Sequence, residues 1–398
     1  MGLFNNKPHL YCFVAFQKNL YHMKYKTLLL FLLLICFSVS AQQTINGSLM
    51  HDGIQRDYIL YIPANYNGNT DVPLVLNFHG YGSNATEQMN YGDFRDLSDT
   101  EGFLLVHPQG TTINGERGWN VGFPGSGSTT DDVGFTEALI DELANLYAIN
   151  LDRVYATGMS NGGFMSFLLA CQLSQKIAAI ASVTGSMTPD TYGVCSAQHP
   201  IPILQIHGTS DSVVPYNGDL NWTLSIVDVI SYWLSYNNCD TTPTVTTLPD
   251  IDPLDGSTVT HIVYSDGDNG VTTEHMKVIG GGHTWPGSAF NFPETNQDIN
   301  ASTEIWAFFS KYDINGSLAV NDLDKIQVMI SPNPTKTKIN LSLNLSQDLN
   351  YELYSAIGQQ LLNGTIKTNS QEIDLSNLPA NIYYLKLGDQ VFKVLKSN

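Results

Sequence analysis

Short apolar runs bounded by turn residues recur through most of the chain, at 57–62, 72–78, 103–106, 153–157, 177–183 and 201–206. They are rich in Val, Ile, Leu and Tyr, which predicts buried strands. Stretches of helical period lie between several of them. The clearest spans 133–147, where Leu139, Ile140, Leu143, Leu146 and Tyr147 fall on one face. Asp131 and Asp132 precede it, an acidic pair at the end where a helix favours negative charge. Residues 164–173, 222–234 and 302–311 also read as helices. Strands alternating with helices predict a mostly parallel, three-layer α/β sheet.

The pattern changes after Tyr312. From Asp322 the chain becomes β-like and turn-punctuated: an apolar run at 326–330, Ser331-Pro332-Asn333-Pro334, then alternating Ile339, Leu341, Leu343 and Leu345. Further strand signals at 351–354, 373–375 and 382–387 predict a small all-β sandwich of about the minimum self-supporting size. The expected organisation is a leader at 1–41, an α/β domain at 42–312, a linker at 313–325 and a β-sandwich at 326–398.

The leader rests on Met23-Lys24-Tyr25-Lys26, an apolar run at 28–37 and the small residues Ser38-Val39-Ser40-Ala41, the layout of a secretory signal peptide starting at Met23. The run is shorter than the roughly 20 residues a membrane span needs, so no transmembrane segment is expected in the mature chain. Ile35 before Cys36 argues against a lipid-modified cysteine. Removing the leader leaves Cys171, Cys195 and Cys239, of which at most one pair closes internally in an exported chain. Net charge is −19, and −23 without the four lysines of a leader that holds no carboxylate. Such a surface repels phosphate, which argues against nucleic acid as a partner.

Gly158-Met159-Ser160-Asn161-Gly162 is the one G-x-S-x-G in the sequence, between a strand-like and a helix-like segment. The glycines suit a sharp, strained strand-to-helix turn that pushes a serine hydroxyl into a site. A serine hydroxyl needs a base beside it, and the base needs a carboxylate to hold its tautomer. Asp211, just past the strand at 201–206, is the candidate acid, an Asx-turn or helix cap being the competing reading. His283, in Gly280-Gly281-Gly282-His283-Thr284-Trp285-Pro286-Gly287, is the candidate base. His261 and His275 sit inside strand-like segments, and His207 precedes the acid and breaks the order Ser, Asp, His. Backbone donors for a tetrahedral oxyanion would be Asn161 and Tyr81, with Gly82 as an alternative to Tyr81. Each such donor contributes about 3 kcal/mol in well-studied hydrolases.

No H-E-x-x-H or clustered-cysteine zinc pattern occurs. A calcium-like run at 250–256 has the wrong spacing, with His261 rather than Glu at its twelfth position. No dinucleotide or Walker fingerprint is present, so cofactor-free acyl transfer is expected.

Gly118-Trp119-Asn120, Asp131-Asp132-Val133-Gly134-Phe135, Arg153-Val154-Tyr155, Gly158 through Gly163, His207-Gly208 with Asp211, and Gly282 through Gly287 together resemble the polyhydroxybutyrate depolymerase-like esterases. That family takes in feruloyl and acetylxylan esterases of the carbohydrate-esterase type. The resemblance covers 42–312 and implies the α/β-hydrolase fold, the triad Ser160, Asp211 and His283, and a Cys171–Cys195 disulfide. It also implies that Trp119, Asp132 and Trp285 lie near the cleft, where an aromatic face could hold a sugar or phenolic ring. A buried core tryptophan and a helix-capping aspartate are the competing readings. The tail resembles a type IX secretion sorting domain, through Ser331-Pro332-Asn333-Pro334, Ile357-Gly358, Ile382-Tyr383 and the closing lysines, with Asn381 in place of a usual glycine.

These readings lead to an exported serine esterase acting on feruloyl or acetyl esters of plant-wall polysaccharide. It would be delivered by type IX secretion machinery and either released or held at the cell surface. A polyester depolymerase is the nearest alternative. A prolyl-oligopeptidase-type peptidase shares the fold and residue order, but no propeller-like repeats precede the catalytic region here, and a non-catalytic binding protein would not need the full set of catalytic residues.

Overall fold

A computed structural model of the chain describes residues 42–318 except 220, 291 and 293, and residues 328–397 except 344–348, 356–357 and 388–389. The leader and the strand signals at Ile326, Leu345 and Ile357 lie outside the described residues. The chain divides into two compact units with the boundary between Leu318 and Ala319.

The strands of the first unit are β1 (Gln43–His51), β2 (Ile54–Ile62), β3 (Val72–Phe78), β4 (Leu104–Pro108), β5 (Thr111–Ile113), β6 (Glu116–Gly118), β7 (Ile149–Met159), β8 (Ala179–Val183), β9 (Ile203–Gly208), β10 (Thr244–Thr247), β11 (Thr258–Tyr264) and β12 (Thr273–Ile279). Its helices are α1 (Ala85–Tyr91), α2 (Arg95–Glu101), α3 (Asp132–Leu146), α4 (Asn161–Gln172), α5 (Pro189–Val194), α6 (Ile226–Tyr236) and α7 (Ala301–Phe309). Ten strands form one sheet in the order β1-β2-β4-β3-β7-β8-β9-β12-β11-β10, and β5 and β6 form a separate hairpin. The central six, β4 through β12 in that order, run parallel. This is the expected α/β-hydrolase sheet.

Side-chain alternation along the strands divides the core into two layers. Leu74, Leu76, Val154 and Ala156 face α3, α4 and α6, joining Phe135, Leu139, Phe164, Phe167 and Trp233. Val75 and Tyr155 face the other way, with Phe103, Trp306 and Phe309. There Phe103 stacks on Trp306 at 4.1 Å between ring centroids and Tyr155 stacks on Phe309 at 4.8 Å. Burial on both faces is why these strands read as unbroken apolar runs. The edge strand β1 does not, because it is half-exposed and only Ile45 and Leu49 pack against the core.

Two boundaries differ from expectation. The helix anticipated from Trp222 begins at Ile226, because the Ser225 side chain accepts the Asp228 N–H and caps it there. Residues 313–317, expected in the linker, belong to the first unit, since Tyr312–Asp313 pairs with Gly316–Ser317 and the Ile314 N–H donates to Asp152 O at 2.8 Å.

Cys171 at the end of α4 is joined to Cys195 just past α5, as the resemblance implied, while Cys239 is a buried free thiol. The second unit packs an antiparallel three-stranded sheet (Met329–Ser331, Lys338–Ser342, Ser370–Asp374) and an antiparallel four-stranded sheet (Gln360–Ile366, Leu349–Ser355, Asn381–Leu387, Gln390–Lys396) around one core. Ile339, Leu341, Leu353, Tyr383 and Leu385 are buried in it. Among the described residues no helix is long and apolar enough to cross a membrane.

The bridge closes a loop spanning 24 residues, which in the chain-entropy picture constrains the unfolded chain by about 3 kcal/mol. Urea unfolding of the Cys171→Ser variant is expected to show a loss of that order. An unchanged midpoint would mean that the bridge does not contribute.

Candidate active site

The strand order reverses between β3 and β7, because the chain continues from β3 to β4 on one side and returns to β7 on the other. In open α/β sheets the crevice beyond the carboxyl ends of two such strands is where ligands bind. His79-Gly80-Tyr81-Gly82 follows β3, and Ser160 follows β7.

Ser160 has φ +55° and ψ −119°, a conformation that non-glycine residues rarely adopt. Its neighbours must be small to allow this. A Cβ at Gly158 would meet Phe78 O at 2.5 Å, and one at Gly162 would collide with the same carbonyl. The Ser160 N–H is fixed to Val183 O at 2.9 Å, and its carbonyl accepts the Phe164 N–H at 3.0 Å. The backbone is therefore held from both sides.

The chain after β3 passes close to this serine: a Cβ built on Gly80 would lie 3.4 Å from Ser160 Cβ and 4.0 Å from its Oγ. His79 Nδ1 bonds Gly80 O at 2.7 Å, while its Nε2 accepts the Gly110 N–H at 3.0 Å. Burial pushes the His79 pKa down to about 4, keeping the ring neutral, with one donor and one acceptor nitrogen. Because the peptide is trans, fixing Gly80 O on one side turns the Tyr81 N–H to the other. Among the described residues neither that N–H nor the Asn161 N–H has a hydrogen-bond partner. Gly82, the alternative donor, is spoken for by Arg117 O at 2.8 Å.

Asp211 follows β9 and His283 follows β12, the neighbouring parallel strand. His283 Nδ1 lies 2.8 Å from Asp211 Oδ2. The other carboxylate oxygen accepts the Val213 and Val214 N–H groups, each at 2.8 Å. Burial by itself disfavours the charged form of Asp211, but hydrogen bonds from His207 and His283 outweigh it and hold the carboxyl well below the usual carboxylate range. Ser160 Oγ and the His283 ring form no hydrogen bond in this structure.

His207, set aside from sequence because it precedes the acid, is a second histidine on Asp211. Its Nε2 lies 3.3 Å from Asp211 Oδ2 and donates to Val214 O at 2.9 Å, while its Nδ1 accepts from Gln205 Nε2 at 3.0 Å. His275 is buried in β12, bonded to Gln205 O and Tyr216 Oη, and His261 pairs with Glu274. Both are sheet residues, as expected.

A pocket of about 400 Å³ opens beside Ser160. Tyr81, Trp119 and Val213 line it, and Phe123, Phe164 and Trp222 form one wall with ring centroids 5.0 to 6.1 Å apart. Trp119 is almost wholly buried yet borders the pocket, because the Asn161 side chain clamps its peptide: Oδ1 accepts Trp119 N–H at 2.6 Å and Nδ2 donates to Trp119 O at 3.2 Å.

The other two residues expected to bind substrate do not line this pocket. Asp132 is buried against Arg56 at 2.6 Å and accepts the Asn120 N–H at 2.7 Å, an ion pair that secures the loop after β6. Trp285 packs edge-on to Phe94 in the opposite core layer and donates to Ser302 Oγ at 3.2 Å. Phe123 and Trp222, missed from sequence, supply the aromatic wall. Trp222 falls in a stretch of helical period, and Phe123 sits at a turn with no periodic signal.

Among the described residues one group of side chains could hold a cation: His51, Asp52 and Asp131. Asp131 is already engaged there, with Oδ1 capping α3 through the Gly134 N–H and Oδ2 at 3.2 Å from His51.

Residues 128–223 match the family described as Phospholipase/Carboxylesterase, and residues 329–397 match the Secretion system C-terminal sorting domain. A bifunctional acetylxylan esterase/xylanase of Neocallimastix patriciarum is 30% identical over 280 residues, which is 70% of this chain and 36% of that protein. Feruloyl esterase B of Piromyces equi is 32% identical over 168 residues, 42% of this chain and 31% of that protein. The chain thus spans about a third of the length of each of these relatives.

His79 and His275 both have pKa values lowered from 6.5 to about 4 by burial. Unfolding restores the higher value, so between about pH 6.5 and 4 the unfolded chain binds protons that the folded chain does not. Stability contributed by these neutral rings is complete above that window and is lost as pH falls through it. Thermal melts from pH 7.5 to 4.5 are expected to show a steadily falling midpoint, and a flat profile would contradict the buried neutral assignment.

Proposed function

We propose that this α/β-hydrolase with a secretion-system sorting domain is an exported serine carboxylic ester hydrolase, with Ser160 as nucleophile, His283 as base and Asp211 as the carboxylate that orients it. The observation that carries this reading is the strained Ser160 at φ +55° beside two unpartnered backbone N–H groups. Strain of this kind costs about 1–3 kcal/mol and persists where the surrounding structure over-determines it.

In the reaction, Ser160 Oγ attacks the ester carbonyl as its proton passes to His283 Nε2. The imidazolium is stabilised by Asp211, and the tetrahedral oxyanion accepts hydrogen bonds from the Tyr81 and Asn161 N–H groups. Collapse expels the alcohol, which takes the proton from His283 and leaves an acyl-serine. Water activated by the same imidazole then releases the acid. The missing Ser160–His283 hydrogen bond is compatible with this, since such contacts are often long before substrate arrives.

The acyl group we assign to the pocket is an aromatic one, such as feruloyl. Three mutually packed rings and a 400 Å³ apolar volume suit a planar aryl group, whereas an acetyl group would leave most of that volume unfilled. The names of the relatives, acetylxylan and feruloyl esterase, support esters of plant-wall polysaccharide as the class. The sorting domain supports delivery by type IX machinery, after loss of a leader at 1–41, with the chain released or retained at the cell surface.

Ser160→Ala is expected to fold normally and lose about 10⁴-fold or more in turnover of methyl ferulate. Undiminished hydrolysis would overturn the nucleophile assignment. Trp222→Ala is expected to raise KM for methyl ferulate about tenfold while leaving an aryl acetate little affected. Equal effects on both substrates, or clearing of hydroxybutyrate polymer in preference to either, would point away from an aryl acyl pocket.

A further inference from the structure

A second groove, of about 590 Å³, lies between α5 and α6, lined by Tyr192, Leu224, Asp228, Ser231, Tyr232 and Tyr236. Its character differs from that of the acyl pocket. Tyr192 is 46% exposed, and its ring stands edge-on to Tyr232 at 5.1 Å. Tyr232 and Tyr236, one helical turn apart on α6, lie nearly parallel, with an interplanar angle of 15° at 6.2 Å. Exposed Asp228, Ser231 and Ser235 fringe these rings with hydroxyl and carboxylate oxygens. Tyr236 Oη is bonded to Ala197 O at 2.5 Å, which fixes that ring.

The groove is tied to the catalytic elements on both sides. Thr188, which caps α5, donates to Val121 O at 2.9 Å, and Thr191 donates to the same carbonyl at 3.1 Å. Val121 lines the acyl pocket. The far end of α5 is held by the Cys195–Cys171 disulfide to α4, the helix that Ser160 begins. Trp222 lines the acyl pocket and Leu224, two residues on, lines the groove. The six-residue helix that carries Tyr192 is therefore tied at both ends, to Val121 through Thr188 and Thr191 and to α4 through the disulfide.

We propose that this groove is a binding site for a pyranose ring of the polysaccharide that carries the scissile ester, engaged while the acyl group fills the pocket beside Ser160. A neutral sugar has an apolar C–H face and an equatorial rim of hydroxyls. Tyrosine faces match the first, and a serine and carboxylate fringe accepts and donates to the second. The groove offers no cation among its described lining residues, so an anionic ligand has no counter-charge there. Aliphatic polyester has no hydroxyl rim for the fringe to bond. The inference rests on the ester-hydrolase reading for its choice of polymer, but not for the existence of the site.

The test is affinity electrophoresis of the otherwise intact Ser160→Ala chain through gels containing unesterified xylan, with and without Tyr192→Ala. Removing the exposed ring is expected to weaken retardation about threefold to tenfold, and Tyr192→Phe, which keeps the face, to retain it. In the chain with Ser160 present, Tyr192→Ala is expected to leave methyl ferulate hydrolysis unchanged while lowering ferulate release from feruloylated xylan by a similar factor. Full retardation of Tyr192→Ala, or an equal loss on methyl ferulate, overturns the groove assignment. Tyr192-dependent retardation in a chain that hydrolyses no ester overturns the enzymatic reading instead and leaves the sugar site standing.

Discussion

Everything at the carboxyl edge of the sheet is arranged around a backbone that cannot relax. Ser160 sits at φ +55°, and Phe78 O, at the end of β3, occupies the space where side chains at 158 and 162 would go, so that only glycines fit on either side of it. That contact exists only because β3 and β7 are direct neighbours. Neighbouring strands at a reversal of strand order bring the two following loops together, so Tyr81, one of the proposed oxyanion donors, reaches Ser160 from a segment about eighty residues away. The hydrophobic sheet below supplies the rigidity, with Leu74, Leu76, Val154 and Ala156 wholly buried. Strain above is sustained by packing beneath.

The electrostatic side of the site follows similar logic. Asp211 is buried, a state that would ordinarily favour its neutral form, yet two imidazoles and two backbone N–H groups surround it. A carboxylate so fully satisfied has little freedom to rotate, and the ring it bonds inherits that orientation. On the other side of the site, His79 works without charge, turning one peptide plane. The two histidines serve in opposite states, one bearing the charge of the reaction in the proposed mechanism and one kept neutral by burial.

Much of this was legible in the sequence, for identifiable reasons. Parallel strands covered on both faces are continuous apolar runs, so β3, β8 and β9 could be read with their ends nearly right. The order of serine, aspartate and histidine could be followed because each comes just past a strand, and the structure puts Asp211 and His283 in contact. Less was visible where tertiary structure decides. The half-exposed β1 gives little pattern, and the residues before α6 look helical until Ser225 caps it later. Resemblance to known esterases points to Asp132 and Trp285, but sequence does not reveal the arginine at 56 that pairs with one, or the seat beside Phe94 for the other. His207 precedes the acid in the chain, and the order of residues is blind to a ring that reaches the acid from its own strand.

Asn161 carries two duties on one residue. Its amide N–H has no hydrogen-bond partner among the described residues, while its side chain fastens the peptide of Trp119, which borders the pocket beside Ser160. Substitution there would disturb selectivity and turnover together. In the proposed reaction, a change of acid specificity is thereby channelled toward the wall around Phe123 and Trp222, where rings can be exchanged without touching Ser160, its base or its backbone donors.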